Sequence, residues 1–184
     1  MIKGTSERIA GRREEIINAC EKLYQTMGFQ EITLKDIGNE VPFSRPTIYN
    51  YFQTKEEIFL ALYEREYDRW NADLTAVLEG FDQLSKSQLA EKIAQSLTGR
   101  VQLLKLLSMN NFDMEANSRK ERLVEFKKAY GQSMQKVRLL LQKFCSEMSE
   151  EDIHGFLYTF FPFMVGIYPY AVVTQKQREA MQEA

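Results

Sequence analysis

Cysteine, proline, glycine and histidine are all scarce: two, four, nine and one among 184 residues. Cys20 and Cys145 cannot build a disulfide framework, and both fall within helical patterns, which points to reduced thiols in a cytoplasmic protein. Neither has a CxxC neighbour, and His154 has no second histidine nearby, so no metal centre is expected. So few glycines and prolines exclude collagen-like, proline-rich and disordered chains. HExxH, GxSxG and a phosphate-cradling glycine loop are all missing, so neither an enzyme active site nor a cofactor is expected. Net charge is nearly absent too. With 24 basic and 26 acidic residues the total is −2, which supplies no global attraction to nucleic acid.

Two familiar apolar segments are also wanting. The start, Met1-Ile2-Lys3-Gly4-Thr5-Ser6-Glu7-Arg8, is too polar for a signal peptide. Gly155 to Val173 is uncharged over 19 residues, the length of a membrane span. It also carries Pro162, Pro169, Gly155, Gly166 and three tyrosines. It reads as a helix buried on all sides in protein rather than facing lipid, and no membrane partner is expected.

What is present is helical periodicity. Ile9, Ile16, Cys20, Leu23 and Met27 form one stripe, with Gly28 placed as a left-handed C-terminal residue. Thr33 with Asp36 predicts a capping box before a short helix that must end ahead of Pro42. Ser44 predicts the cap of another short helix, with Phe43 and Ile48 as its hydrophobic staple. Thr54 with Glu57 opens a long helix whose inner face is Phe59, Tyr63, Tyr67, Trp70, Leu74, Val77 and Phe81. Leu89 to Leu104 predicts one further helix, followed by a break at Asn110-Asn111. Ser118 with Glu121, Ser149 with Asp152 and Thr174 with Gln177 predict three more starts. The fold class expected is all-α, with a boundary near residue 53: a first domain over 1–53, and a second over 54–184 entered by the long helix.

Three short helices within about 40 residues, the last two joined by a tight turn, have the shape of a helix-turn-helix unit. The segment Ser44-Arg45-Pro46-Thr47-Ile48-Tyr49-Asn50-Tyr51-Phe52 sets Arg45, Thr47, Tyr49 and Asn50 where they can reach bases or phosphates. Ile48 and Phe52 supply its packing side. Pro46 is tolerated in the first turn, where its missing N–H has no helical partner to lose. These residues alone leave open a helical bundle that only binds other proteins.

The runs Ile32-Thr33-Leu34-Lys35-Asp36-Ile37-Gly38, Phe43 to Phe52 and Lys55-Glu56-Glu57-Ile58-Phe59, with Arg13, Ile17, Ala19, Leu23, Gly28 and Phe29 before them, resemble the N-terminal domain of the tetracycline-repressor (TetR) family of bacterial transcription regulators. The resemblance covers residues 9 to 60. It implies a homodimer that reads a pseudo-palindromic operator in double-stranded DNA, with a helical second domain that dimerises and takes a small effector. It also implies that Tyr49, Tyr51 and Lys55 hold phosphates while Arg45, Pro46, Thr47 and Asn50 face bases. Arg12, Thr33 and Ser44 complete the DNA-facing set. Repression relieved by the effector is the first expectation; activation by the same DNA-binding mode is the alternative. The chain departs from the family at Pro42, where a turn glycine is usual, and at Pro46, where a small residue is usual. Proline cannot enter the left-handed region, so the turn must take another path.

Division of the charge supports that reading. Residues 1–55 carry a net +1 and residues 56–184 a net −3, with Lys3, Arg8, Arg12, Arg13, Arg45 and Lys55 as the local cations available to phosphates. In the second part, Tyr67, Trp70, Leu104, Phe112, Tyr130, Met134, Tyr158 and Phe163 are the expected effector-pocket residues. Their aromatic character without clustered charge favours an apolar or amphipathic effector. The resemblance implies a dimer seam on the last two long helices, and Phe156, Phe160, Ile167 and Val173 are expected to form its stripe, with Pro162 kinking the helix.

Overall fold

A computed structural model describes the backbone of residues 2–109 and 111–184, and side chains from Ile9 onward except that of Asn111. The side chains of Lys3 and Arg8 and the break at Asn110 lie outside the described residues. The described elements are α1 (Ile2–Thr26), α2 (Leu34–Asn39), α3 (Arg45–Ile48), α4 (Lys55–Gly80), α5 (Lys86–Thr98), α6 (Val101–Leu107), α7 (Asn111–Ala116), α8 (Lys120–Phe144), α9 (Glu150–Ala171) and α10 (Gln175–Glu183). The fold is all-α, with no strand among the described residues. No single helix among them is long and apolar enough to cross a membrane.

The chain forms two compact units. The first takes in residues up to Arg65 and returns for residues 111–130; the second holds Glu66–Met109 and Gly131–Ala184. Helices α4 and α8 thus contribute to both. In the first unit Ile16, Ile17, Cys20 and Tyr24 of α1, Ile37 of α2, Ile48 of α3, Phe52, and Ile58 and Phe59 of α4 are all essentially inaccessible. Tyr24 and Phe29 meet the Phe59 ring edge-on at 5.2 and 4.8 Å, the arrangement that aromatic quadrupoles favour. In the second unit Tyr67, Trp70, Leu74 and Val77 of α4 pack inward as their spacing predicts. Trp70 meets Phe161 at 6.0 Å, and its indole N–H donates to Ser96 Oγ.

Local signals mark most helix starts. Capping boxes form at Thr33–Asp36, Ser85–Gln88, Ser149–Asp152 and Thr174–Gln177. Other starts differ. Ser44 holds the cap position with its hydroxyl turned to Thr47 Oγ1 at 3.1 Å, and makes no cap bond to the backbone. Ser118 does not cap α8; its buried hydroxyl is unpaired, and the Arg119 N–H is taken by Glu57 instead. Thr54 accepts the Glu57 N–H, but the Glu57 carboxylate bonds Gln53 N and Arg119 rather than closing a box. Gly28 is not left-handed, as no described residue has a positive φ; its N–H is bound by the Glu31 carboxylate. The single helix expected over Leu89 to Leu104 is broken into α5 and α6. Arg100 leaves helical geometry at φ −115°, ψ 40°, drawn to Asp73 Oδ2 at 2.7 Å and the Arg69 carbonyl at 3.3 Å.

Helix α9 corrects another expectation. Within the chain it is buried along one stripe only, Ile153, Leu157, Phe161 and Met164. Outside that stripe Tyr158, Phe163 and Tyr170 are exposed by 81%, 66% and 89%. Pro162 and Pro169 lie inside this helix on its exposed side. The carbonyl that Pro162 deprives of a partner, four residues back at Tyr158, is therefore on the open face.

Candidate nucleic-acid interface and effector groove

Helix α3 is only four residues long, too short to hold itself together. Its direction is inherited from its neighbours. Ile48 and Phe52 are buried at 1% and 0% exposure, whereas Arg45, Pro46, Tyr49 and Asn50 on the other side are exposed, with Thr47 half-buried. Gly38 marks the closest passage of α2 by α3: a Cβ there would meet Arg45 Cγ at 3.4 Å and Ile48 Cδ1 at 3.6 Å. The connection through Pro42 is made without any left-handed residue, so the glycine usual in such turns is dispensable here.

The other residues expected to face DNA divide by how free they are. Arg12 is half-buried, its guanidinium 5.6 Å from the centre of the Phe43 ring. Thr33 is exposed, yet its hydroxyl donates to Asp36 Oδ2 at 2.5 Å and accepts the Asp36 N–H at 3.3 Å. The hydroxyl bond, together with the Thr33 N–H donating to Asp36 Oδ2 at 2.9 Å, holds the Asp36 carboxyl below the usual aspartate range. The Lys55 ammonium donates to the carbonyls of Phe29 and Ile32 at 2.9 and 3.0 Å and lies 4.4 Å from the Phe29 ring centre. Only one of its three N–H groups is left for another partner. Tyr51 is half-buried, and its carbonyl is engaged by Arg119 and Arg122.

Sequence reasoning missed that last feature. Glu57, 1% exposed at its side chain, accepts Arg119 Nε at 2.6 Å, Arg119 Nη2 at 2.8 Å, Arg119 N at 3.1 Å and Gln53 N at 2.7 Å. Burial raises its carboxyl and these four donors lower it further, leaving it held down to about 2. The only sequence signal was two charged residues 62 positions apart, which spacing alone does not connect.

The expected effector residues are not brought to one place. Phe112 and Tyr130 belong to the first unit, and Phe112 is 83% exposed. Of the other six, Tyr67 and Trp70 are sealed in the second unit's core, Leu104 is half-buried, and Phe163 is on the open face of α9. Met134 and Tyr158 do meet, lining a shallow groove of about 250 Å³ with Arg138 and His154. A larger groove of about 410 Å³ lies elsewhere in the second unit. Leu89, Ala90 and Ile93 of α5, Leu141 of α8, Cys145, Met148 and Phe156 line it, with Lys86 and Asp152 as its charged members. Burial pushes the Cys145 thiol up, so it faces the groove as an apolar, protonated group. Its members were legible only as two ordinary apolar stripes.

The expected seam residues Phe156, Phe160, Ile167 and Val173 are each half-buried. Phe160 stacks on Phe156 at 5.4 Å and meets Phe161 edge-on at 5.6 Å. The more open apolar side of α9 is the adjacent one, where Pro162, Phe163, Gly166, Ile167, Tyr170 and Ala171 line a surface groove of about 490 Å³.

Comparison with known proteins agrees with this architecture. The family model described as bacterial regulatory proteins, tetR family, matches residues 16–62, and that described as tetracyclin repressor-like, C-terminal domain, matches residues 64–184. An uncharacterized HTH-type transcriptional regulator, YfiR of Bacillus subtilis, is 31% identical over 96 residues, 52% of this chain and 42% of that protein. The HTH-type transcriptional repressor Rv1474c of Mycobacterium tuberculosis is 26% identical over 90 residues, 49% of this chain and 47% of its own length. These matches thus span less than half of either relative. A TetR/AcrR-family transcriptional regulator from Thermobifida fusca shares the fold, with a TM-score of 0.60 at 20% identity over 94% of this chain and 93% of that one. Members of the family are DNA-binding regulators rather than enzymes, and among the described residues no group of three His, Cys, Asp or Glu side chains gathers as a metal site. With the two family models together accounting for almost all of the sequence from residue 16 onward, the chain belongs to the TetR family of bacterial regulatory proteins.

Proposed function

We propose that this protein is a homodimeric repressor that reads a pseudo-palindromic operator with α3 and releases it when a small apolar or amphipathic effector binds. The observation that carries the reading is the two-sidedness of α3. Ile48 and Phe52 anchor it, while Arg45, Pro46, Tyr49 and Asn50 stand free on one surface. Arg matches the acceptor edge of guanine and Asn that of adenine, while the Pro46 ring offers an apolar surface to a thymine methyl. Tyr49, Tyr51 and Lys55 are proposed for phosphates, with Arg12 as a further cation and Thr33 and Ser44 at the helix starts. Selection of bound DNA from a random pool is expected to return two half-sites about one helical turn apart, or a multiple of it. Tyr49→Ala is expected to weaken binding to the selected site about tenfold. Lys55→Ala should flatten the salt dependence by about one phosphate per subunit, a slope change of roughly 0.9 each. Unchanged affinity in both variants would remove these residues from the contact set.

The effector is assigned to the α5–α8–α9 groove of about 410 Å³, because its walls are aliphatic, aromatic and thioether groups. Both cysteines are buried, so a thiol reagent should modify the folded protein about a hundredfold more slowly than the urea-unfolded chain. A medium-chain fatty acid that fills the groove should slow modification at Cys145 further and leave Cys20 unaffected. Equal slowing at both cysteines would move the effector elsewhere. The name of the mycobacterial relative favours repression over activation, and a reporter under the selected operator distinguishes them.

A further inference from the structure

The C-terminal end of the reading helix is gripped from a distant part of the chain. We propose that Arg119 and Arg122 are positioning residues for operator recognition: they fix the chain reversal that follows α3, and so set how α3 is presented to DNA. This rests on α3 being the DNA-reading element.

The geometry is specific. The N–H groups of Tyr51 and Phe52 both turn back to the Ile48 carbonyl at 2.9 Å, closing the helix. Three residues beyond Ile48, the Tyr51 carbonyl accepts Arg119 Nη2 at 3.2 Å and Arg122 Nη2 at 3.3 Å. Two steps on, Gln53 N donates to Glu57, the carboxylate that Arg119 grips through Nε and Nη2. Thr54 Oγ1 then donates to the Asn117 carbonyl at 2.9 Å. Three points of the reversal, at 51, 53 and 54, are therefore tied to residues 117–122 directly or through Glu57. The Arg122 guanidinium also lies 5.5 Å from the centre of the buried Phe52 ring. A helix of four residues has no cooperative stiffness of its own, so these bonds and the packing of Ile48 and Phe52 decide its orientation. A bidentate guanidinium is the group that holds direction as well as distance.

Two variants separate positioning from simple stability. Arg119→Lys keeps the charge opposite Glu57 and loses the fork, and Arg122→Gln loses one of the two donors to the Tyr51 carbonyl. Both are expected to melt within a few degrees of wild type. Both should bind the selected operator about tenfold more weakly, with the slope of log affinity against log salt unchanged. Native-state hydrogen exchange, read without DNA, should speed up about tenfold at the amides of Tyr51 and Phe52 and stay unchanged at Ile37. Unaltered affinity and exchange in folded variants overturns the proposal. So does a slope reduced by one phosphate per subunit, which would make the arginines direct contacts. Faster exchange together with a wild type that binds no selected DNA would refute the DNA reading itself and leave the clamp without a recognition role.

Discussion

Replacing Arg119 with alanine is expected to lower the unfolding free energy by about 3 kcal/mol at neutral pH, because it strands a buried carboxylate. The two partners are not equivalent. Glu57 is 1% exposed at its side chain and Arg119 39%, so an Arg119 left alone can turn into water while a Glu57 left alone cannot. Glu57→Gln should accordingly cost less, about 1–2 kcal/mol. At 184 residues, 3 kcal/mol corresponds to a melting temperature lower by roughly 6–12 °C. The pH dependence gives an independent signature. In the wild type the Glu57 carboxyl is held down to about 2. Its contribution is therefore complete above the usual carboxylate range and is lost as pH falls toward 2. In Arg119→Ala burial dominates and raises the same carboxyl above its ordinary value, so the folded state then prefers the proton and the penalty shrinks on acidification. The stability gap between the two proteins, measured by urea titration, should close by more than half between pH 7 and pH 3. A gap independent of pH would show that Glu57 is not the group responsible.

Replacing Phe163 with glutamate is expected to dissociate the dimer, raising its dissociation constant by about a thousandfold, or roughly 4 kcal/mol. Phe163 is 66% exposed on the face of α9 that also bares Tyr170, beside Pro162 and Gly166 in one apolar groove. Two such aromatic side chains on the uncharged part of the helix are the expected mark of an association surface. In a two-fold interface each substitution occurs twice, which places two unpaired carboxylates in one apolar seam. Within the chain Phe163 contributes little packing, so the variant should keep its helix content and melt near the wild type once dimer stabilisation is allowed for. Phe160 is the less discriminating position. Its stacking on Phe156 and edge contact with Phe161 mean that a charge there disturbs the fold as well as the seam. Sedimentation equilibrium reads the result directly, and a folded dimeric Phe163→Glu protein would place the interface on another surface. A monomeric variant should also bind a full operator much more weakly than the dimer, because the second half-site no longer adds to the first.

What the sequence determined by itself was mostly what lies within one helical turn. Thr33–Asp36, Ser149–Asp152 and Thr174–Gln177 were legible because a capping box needs two residue types three positions apart and no help from elsewhere. The buried face of α4 followed from period alone, and so did the inward side of α3. The tertiary structure decided every case in which a polar group had a local and a distant partner to choose between. Ser118 and Glu57 both carry local cap signals, yet the Ser118 hydroxyl is buried without a partner and the Arg119 N–H goes to Glu57, whose buried carboxylate gathers four donors. Arg100 breaks α5 from α6 for the same reason, its guanidinium reaching Asp73. Lys55 gives two of its three donors to the carbonyls of Phe29 and Ile32, leaving one for another partner. Whether an apolar face is core or open surface was equally undecided by periodicity. Tyr67 and Tyr158 sit on helices of similar pattern, one sealed and one bare, and only the packing of neighbouring helices assigns them. Spacing specifies bonds that close within a turn; bonds that close across some 60 residues depend on where the whole chain brings their two ends.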